Sequence, residues 1–156
     1  MEKYIAVKIV EAEPMSAMLA ERTLNRSIYV SNAAQSESGE TGHPGYLVQY
    51  GGGYRSWCPK KQFEEANRPC DGMTLGLAIE AAKKGLKIAR QGWNGKGLSV
   101  ELQVPDEHSK MTLPYLYMNY PATPASDTAP ADHINAHVPW LASQTDMLAD
   151  DWTLVD

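Results

Sequence analysis

The chain has 156 residues, room for one ordinary domain or two small ones and none for a large multidomain enzyme. Hydrophobic residues make up 43% and charged residues 21%, the balance of a chain that folds around a core. Fourteen Lys and Arg against nineteen Asp and Glu give a net charge of −5, which opposes general binding to nucleic-acid polymers.

Eight Tyr and four Trp stand against a single Phe, so the aromatic set favours rings with a polar handle. The N-terminus, MEKYIAVKIVEAEPM, lacks the basic-then-apolar order of a secretory signal. No apolar run reaches the roughly 18 residues of a membrane span, so a cytoplasmic protein is expected, with no membrane partner. Cys58 and Cys70 have neither CxxC nor zinc spacing and read as reduced spectators.

Residues 4–10 alternate as a strand, and Pro14 opens a short helical pattern with Met15, Met18 and Leu19 on one side. Ser31 to Gly45 is rich in Ser, Glu, Gly, Asn and Thr and reads as a loop. Tyr46 to Tyr50 and Tyr54 to Trp57 are short strands joined by a GGG turn, and Pro59 begins a helix through Phe63 and Ala66. The breaker cluster Asn67 to Gly72 marks a boundary between a small β-α-β-β-α module, residues 1–71, and a second module, residues 72–156. In the second, Leu75, Ala78, Ile79, Ala82 and Leu86 follow helical spacing, with Thr74 as N-cap and Gly85 as stop. Lys87 to Arg90 are extended, and Gly92 to Gly97 form a turn. Leu98, Val100, Leu102 and Val104 then alternate as the buried face of a hairpin strand. Tyr115 to Asn119 read as another strand, Tyr120 to Asn135 are a Pro/Ala-rich excursion, order resumes at Val138 to Trp140, and Trp152 to Val155 suit a terminal strand. The fold class is α+β, with small, mainly antiparallel sheets and short helices in two compact modules.

Two segments carry binding chemistry. In Arg90-Gln91-Gly92-Trp93-Asn94-Gly95-Lys96-Gly97, glycines let the backbone approach a ligand beside a Trp face, an Asn and a Lys, a set that suits a nucleotide. Asn94-Gly95 is equally a good hairpin turn. Lys83, Lys84, Lys87, Arg90 and Lys96 fall within fourteen residues that contain no acid, which fits a local anion site or a solvated helix face. In the second segment, from Val138 to Trp152, Ser143-x-x-Asp146 can be a capping box. Trp140, Thr145 and Asp146 can alternatively offer a ring, a hydroxyl and a carboxylate to a ribose or a base. No GxSxG, GxxxxGK[ST] or HExxH is present, so no catalytic residue is assigned. His133 and His137 have the spacing of helical metal ligands, but Pro and Ala around them argue against a helix, so neither metal nor cofactor is expected. Asp146, Asp150 and Asp151 read as an acidic surface.

The blocks MTLGLAIEAAKKGLKIARQGWNGKG, MTLPYLYM and VPWLASQTDMLADDW, in that order from Met73 to Asp156, resemble the phage Thoeris anti-defense 2 family. The resemblance implies a non-enzymatic sponge that binds the cyclic ADP-ribose-derived signal of bacterial TIR proteins. It also implies binding of CBASS-type cyclic oligonucleotides at separate sites in some members, and a homotetramer with pockets between protomers. Carried onto this chain, Trp93 stacks on the ligand beside Asn94 and Gly95, and Trp140, Ser143, Thr145 and Asp146 complete the pocket. The two indoles can sandwich a base while Arg90 or Lys96 offsets a diphosphate. The chain departs from the family in a longer segment before Val138-Pro139-Trp140. The first module resembles phage modules that share the Ser56 to Ala66 stretch, with no function attached. Competing readings are an enzyme that degrades such nucleotides with Asp146 as base, and a phage structural or host-interaction protein.

Overall fold

The computed structural model describes residues 7–28, 42–93, 97–122 and 135–155. They form an α+β architecture of two antiparallel sheets and, among the described residues, four helices. The chain divides into two compact units, Met1–Arg68 and Pro69–Asp156.

In the first unit the elements run β1 (Glu11–Pro14), α1 (Ala17–Leu24), β2 (Gly45–Gln49), β3 (Arg55–Pro59) and α2 (Lys60–Ala66), with sheet order β1-β2-β3. The order of elements is the one read from the sequence, but the first strand is displaced. Residues 7–10 are not in a strand, and Pro14, assigned to the helix, ends β1 opposite Tyr46. A proline is tolerated there because β1 is an edge strand, where its missing N–H costs no ladder bond. Ser16 caps α1 instead, its Oγ accepting from the Leu19 N–H at 3.4 Å. The helix buries Ala17 and Ala20 and leaves Met18 and Leu19 half exposed, so small residues set a close helix contact that the larger apolar side chains had masked. Asn25, at φ 49°, closes α1 in the left-handed conformation.

Trp57 anchors this unit. Its Nε1 donates to the Met15 carbonyl at 2.8 Å, and its ring lies against Gly45, where a Cβ would collide with the indole and with the Cys58 carbonyl. Tyr46 stacks on Phe63 at 4.3 Å and donates its hydroxyl to Glu64 at 2.9 Å, fastening α2. Burial pushes the Cys58 thiol pKa up, as suits an unreactive side chain. Most of the expected Ser31 to Gly45 loop falls on residues 29–41, outside the described residues.

The second unit comprises α3 (Leu75–Ala82), β4 (Lys87–Arg90), β5 (Ser99–Gln103), β6 (Tyr115–Tyr120), β7 (Ala136–Pro139), α4 (Gln144–Met147) and β8 (Trp152–Val155), in sheet order β7-β6-β5-β4-β8. The last strand therefore returns to pair with the first of the unit, Arg90 lying opposite Trp152 and Ile88 opposite Leu154. Helix α3 presents Ala78, Ala81 and Ala82 to a core of Ile88, Val100 and Trp152, the last three at 0% exposure. Alanines let the helix approach the sheet closely enough to enclose an indole. Gly85, at φ 84°, ends the turn after α3 as its sequence position suggested. Val100 and Leu102 face the core as the alternation predicts, whereas Leu98 and Val104 lie outside β5. Strand β7 covers Ala136–Pro139, and the N–H of Trp140 just after it donates to the Leu116 carbonyl at 2.9 Å. No helix among the described residues is long and apolar enough to cross a membrane.

Candidate functional site

The sheet register delivers the ends of β4 and β8 to the same place, and α4 packs beside them. Trp152 is the centre of this arrangement. Its indole N–H donates to the Asp146 carbonyl at 3.1 Å, its backbone pairs with Met73, and its ring meets Trp93 at 5.4 Å and Trp140 at 5.6 Å, edge to face in both cases. Such contacts are the favoured geometry of aromatic rings beyond their area burial.

Trp93 and Trp140 are thus brought together, but not as two parallel plates. Their centroids are 6.4 Å apart and their planes cross at 66°. An intercalated base needs parallel faces about 7 Å apart, twice an aromatic stacking distance. The sandwich expected from the sequence is not formed, because both rings pack on the core around Trp152.

Arg90 ends β4 and lies between two carboxylates. Its Nε and Nη2 donate to the two oxygens of Asp151 at 2.8 and 3.2 Å, a fork-to-fork pair, and its Nη1 donates to Asp146 Oδ1 at 3.1 Å and to the Thr145 carbonyl at 3.4 Å. The hydrogen bonds to Asp151, then the one to Asp146, raise the guanidinium pKa. Arg90 holds the Asp151 carboxyl below its ordinary range. For Asp146, burial favours the neutral acid, but the Ser143 hydroxyl and Arg90 outweigh it and hold the pKa down.

The capping-box reading of Ser143 and Asp146 holds. The Asp146 N–H donates to Ser143 Oγ at 3.1 Å, while Asp146 Oδ2 accepts from the Ser143 N–H at 3.1 Å and its hydroxyl at 2.7 Å. Because that hydroxyl has a single proton and gives it to Asp146, the 2.8 Å contact between Ser143 and Thr145 is a bond donated by Thr145. Asp146 thus does two jobs at once, capping α4 and gripping Arg90, and its three hydrogen bonds and depressed pKa make it a poor general base.

Several cations of the run meet acids, one local and the others from elsewhere in the fold. Lys83 pairs with Glu80 at 2.7 Å and Lys87 lies 3.9 Å from Glu101. Arg90 carries one positive charge against two negative ones. Lys83 and Lys87 stay largely exposed in these pairs, as on a solvated face, whereas Arg90 is drawn into its pairs by tertiary contacts with Asp146 and Asp151. Asn94, Gly95 and Lys96 lie outside the described residues. His137 is in strand β7, its ring edge-on to Tyr117 at 5.1 Å, and His133 lies outside the described residues.

Two site members were missed in the sequence. Trp152 read as an ordinary strand residue and Asp151 as solvated acid; only the β4 to β8 register places them at the site. Of the expected residues, Arg90, Trp93, Trp140, Ser143, Thr145 and Asp146 do converge around the indole trio.

Comparison with known proteins agrees with this part of the chain. Residues 73–155 match the family model of the Thoeris anti-defense 2-like domain. Over 85 residues, 53% of this chain and 94% of the relative, the sequence is 34% identical to Thoeris anti-defense 2 of Bacillus phage SP01. A match over that span, including every described residue of the indole and arginine site, places the chain in the Thoeris anti-defense 2-like family.

Proposed function

We propose that the second unit is a non-catalytic binding module that sequesters a TIR-derived cyclic nucleotide, such as glycocyclic ADP-ribose, in the cytoplasm of an infected or lysogenic bacterium. Membership of the anti-defense family gives the biological class. The observation that carries the reading is the convergence of Arg90, Trp93, Trp140, Thr145 and Asp146 on one indole cluster, which joins aromatic surface, a cation and hydrogen-bonding groups. A base stacks on one accessible face of Trp93 or Trp140, not between them. Ribose hydroxyls meet the Thr145 hydroxyl and Asp146, and a phosphate approaches Arg90. Asn94, Gly95 and Lys96 belong to the same proposed pocket through the family motif.

The well-satisfied Asp146 and its lowered pKa favour sequestration over hydrolysis, since a base must accept a proton near neutral pH. Self-assembly into a homotetramer is part of the proposal, and the exposed Leu141 and Leu148, at 91% and 83%, are candidates for burial by it. Binding of CBASS-type cyclic oligonucleotides at a separate site is a second ligand class to test.

Calorimetric titration against a panel of TIR-derived and cyclic oligonucleotide signals tests the reading. Saturable binding of at least one member supports it. Binding of none, by a folded protein, refutes it.

A further inference from the structure

We infer that Asp151 is a specificity-determining residue of this site: its carboxylate occupies the Arg90 fork in the place a ligand's phosphate would take, and so sets which anions can bind. The inference rests on the proposed pocket and adds a residue to it.

Four guanidinium contacts are already made, two to Asp151, one to Asp146 and one to the Thr145 carbonyl. One of the five N–H groups, on Nη2, is not among these contacts, so a phosphate that binds Arg90 in a two-pronged way must still take at least one N–H group from a present acceptor, and the carboxylates are the charged ones among them. The two are not equally held. Asp146 is 13% exposed, and its second oxygen accepts from both the amide and the hydroxyl of Ser143 while its backbone carbonyl holds the Trp152 indole. Displacing it would undo the cap of α4. Asp151 is 33% exposed, and among the described residues its carboxylate has no side-chain partner except Arg90. It can rotate into water at the cost of this pair alone.

Asp151 is thus the exchangeable partner and Asp146 the fixed one. The bidentate geometry of the Asp151 pair is also the geometry in which a guanidinium binds phosphate, so the carboxylate is a resident competitor of matching shape. A ligand without an anionic group cannot replace it. A phosphate can, because it brings charge at least equal to the one it displaces.

The test uses the full-length protein and inorganic pyrophosphate as probe, read by the fluorescence of the indole cluster, in wild type, D151N and D150N. Asp151→Asn keeps the shape and one acceptor but removes the competing charge. Asp150→Asn removes the same charge from the neighbouring exposed residue, which makes no contact with Arg90, and reports any general electrostatic effect. D151N should bind pyrophosphate about tenfold more tightly than wild type, and D150N should stay within about threefold of it. A loss of structure would weaken binding, so a gain in affinity is a result that a purely structural role for Asp151 does not produce. Should D151N fail to fold, D151S takes its place with the same expectation.

The inference is overturned if D151N binds pyrophosphate no more tightly than D150N, or if no variant binds it. If D151N gains as stated while no cyclic nucleotide binds wild type, the role of Asp151 stands and the sequestration reading falls. If a cyclic nucleotide binds wild type and D151N shows no gain for pyrophosphate, the reverse holds.

Discussion

Replacing Arg90 by Gln tests the clamp that holds the site together. The substitution keeps length and some hydrogen-bonding capacity but leaves Asp146 and Asp151 facing each other without a cation. The side chains are 21%, 13% and 33% exposed, between a surface pair and a buried one. Exposed pairs contribute about 0–1 kcal/mol, whereas removing one partner of a buried pair costs about 3–5 kcal/mol, so about 2 kcal/mol is expected here. For a unit of this size that is a fall in Tm of about 10 °C. Urea unfolding of wild type and R90Q, followed by tryptophan fluorescence, measures it, since three of the four tryptophans surround the clamp. The pH dependence has a definite sign. Both aspartates have lowered pKa values in the folded protein, so their contribution is present above the ordinary carboxylate value of about 4 and is lost as pH falls through the depressed folded values. The difference between wild type and R90Q should be full at pH 7 and shrink below about pH 4. A difference under about 0.5 kcal/mol at pH 7, or one that persists undiminished at pH 2, would refute the clamp as a stabilising element.

Three further outcomes follow from particular contacts. Trp152→Ala empties the centre of the second core and should destabilise that unit by about 3–5 kcal/mol, seen as loss of its cooperative unfolding. Ser143→Ala removes the α4 cap at a cost of about 1 kcal/mol while leaving the Asp146 carboxylate on Arg90; it should weaken ligand binding less than Asp146→Ala or Trp93→Ala, each expected to cost at least about tenfold in calorimetry. Gly45→Ala drives a Cβ into Trp57 and the Cys58 carbonyl and should destabilise the first unit by about 1–3 kcal/mol, whereas Gly51→Ala, where a Cβ meets nothing, should leave its thermal unfolding unchanged.

The elements whose sequence carried both a period and an end signal were legible. Helix α3 has Thr74 before it and Gly85 after it, β8 appears with the bounds read from Trp152 to Val155, and Pro59 precedes α2. Strand β1 was misplaced because Pro14 signals equally a helix start and a strand edge, and only the partner strand, aligning Pro14 with Tyr46, decides between them. The face of α1 was misread for a related reason, since alanine burial is set by how closely the sheet approaches. At the candidate site, Arg90, Trp93, Trp140, Ser143, Thr145 and Asp146 of the two motifs lie together in the fold, and the family resemblance, not periodicity, had joined those motifs. What remained hidden was long-range: Arg90 and Asp151 are 61 residues apart, and no local pattern announces their pairing or the edge-to-face packing of Trp93 and Trp140 on Trp152. The partners of Lys87 and Arg90 in the cationic run were hidden for the same reason, because Glu101, Asp146 and Asp151 lie outside it in sequence and beside those two residues in space.

A sponge of the proposed kind holds its ligand without altering it. Wild-type protein saturated with glycocyclic ADP-ribose, washed, incubated and then heat-denatured should release the nucleotide chemically intact and in stoichiometric amount, as read by chromatography and mass spectrometry. Release of a cleaved product, increasing with incubation time, would contradict it.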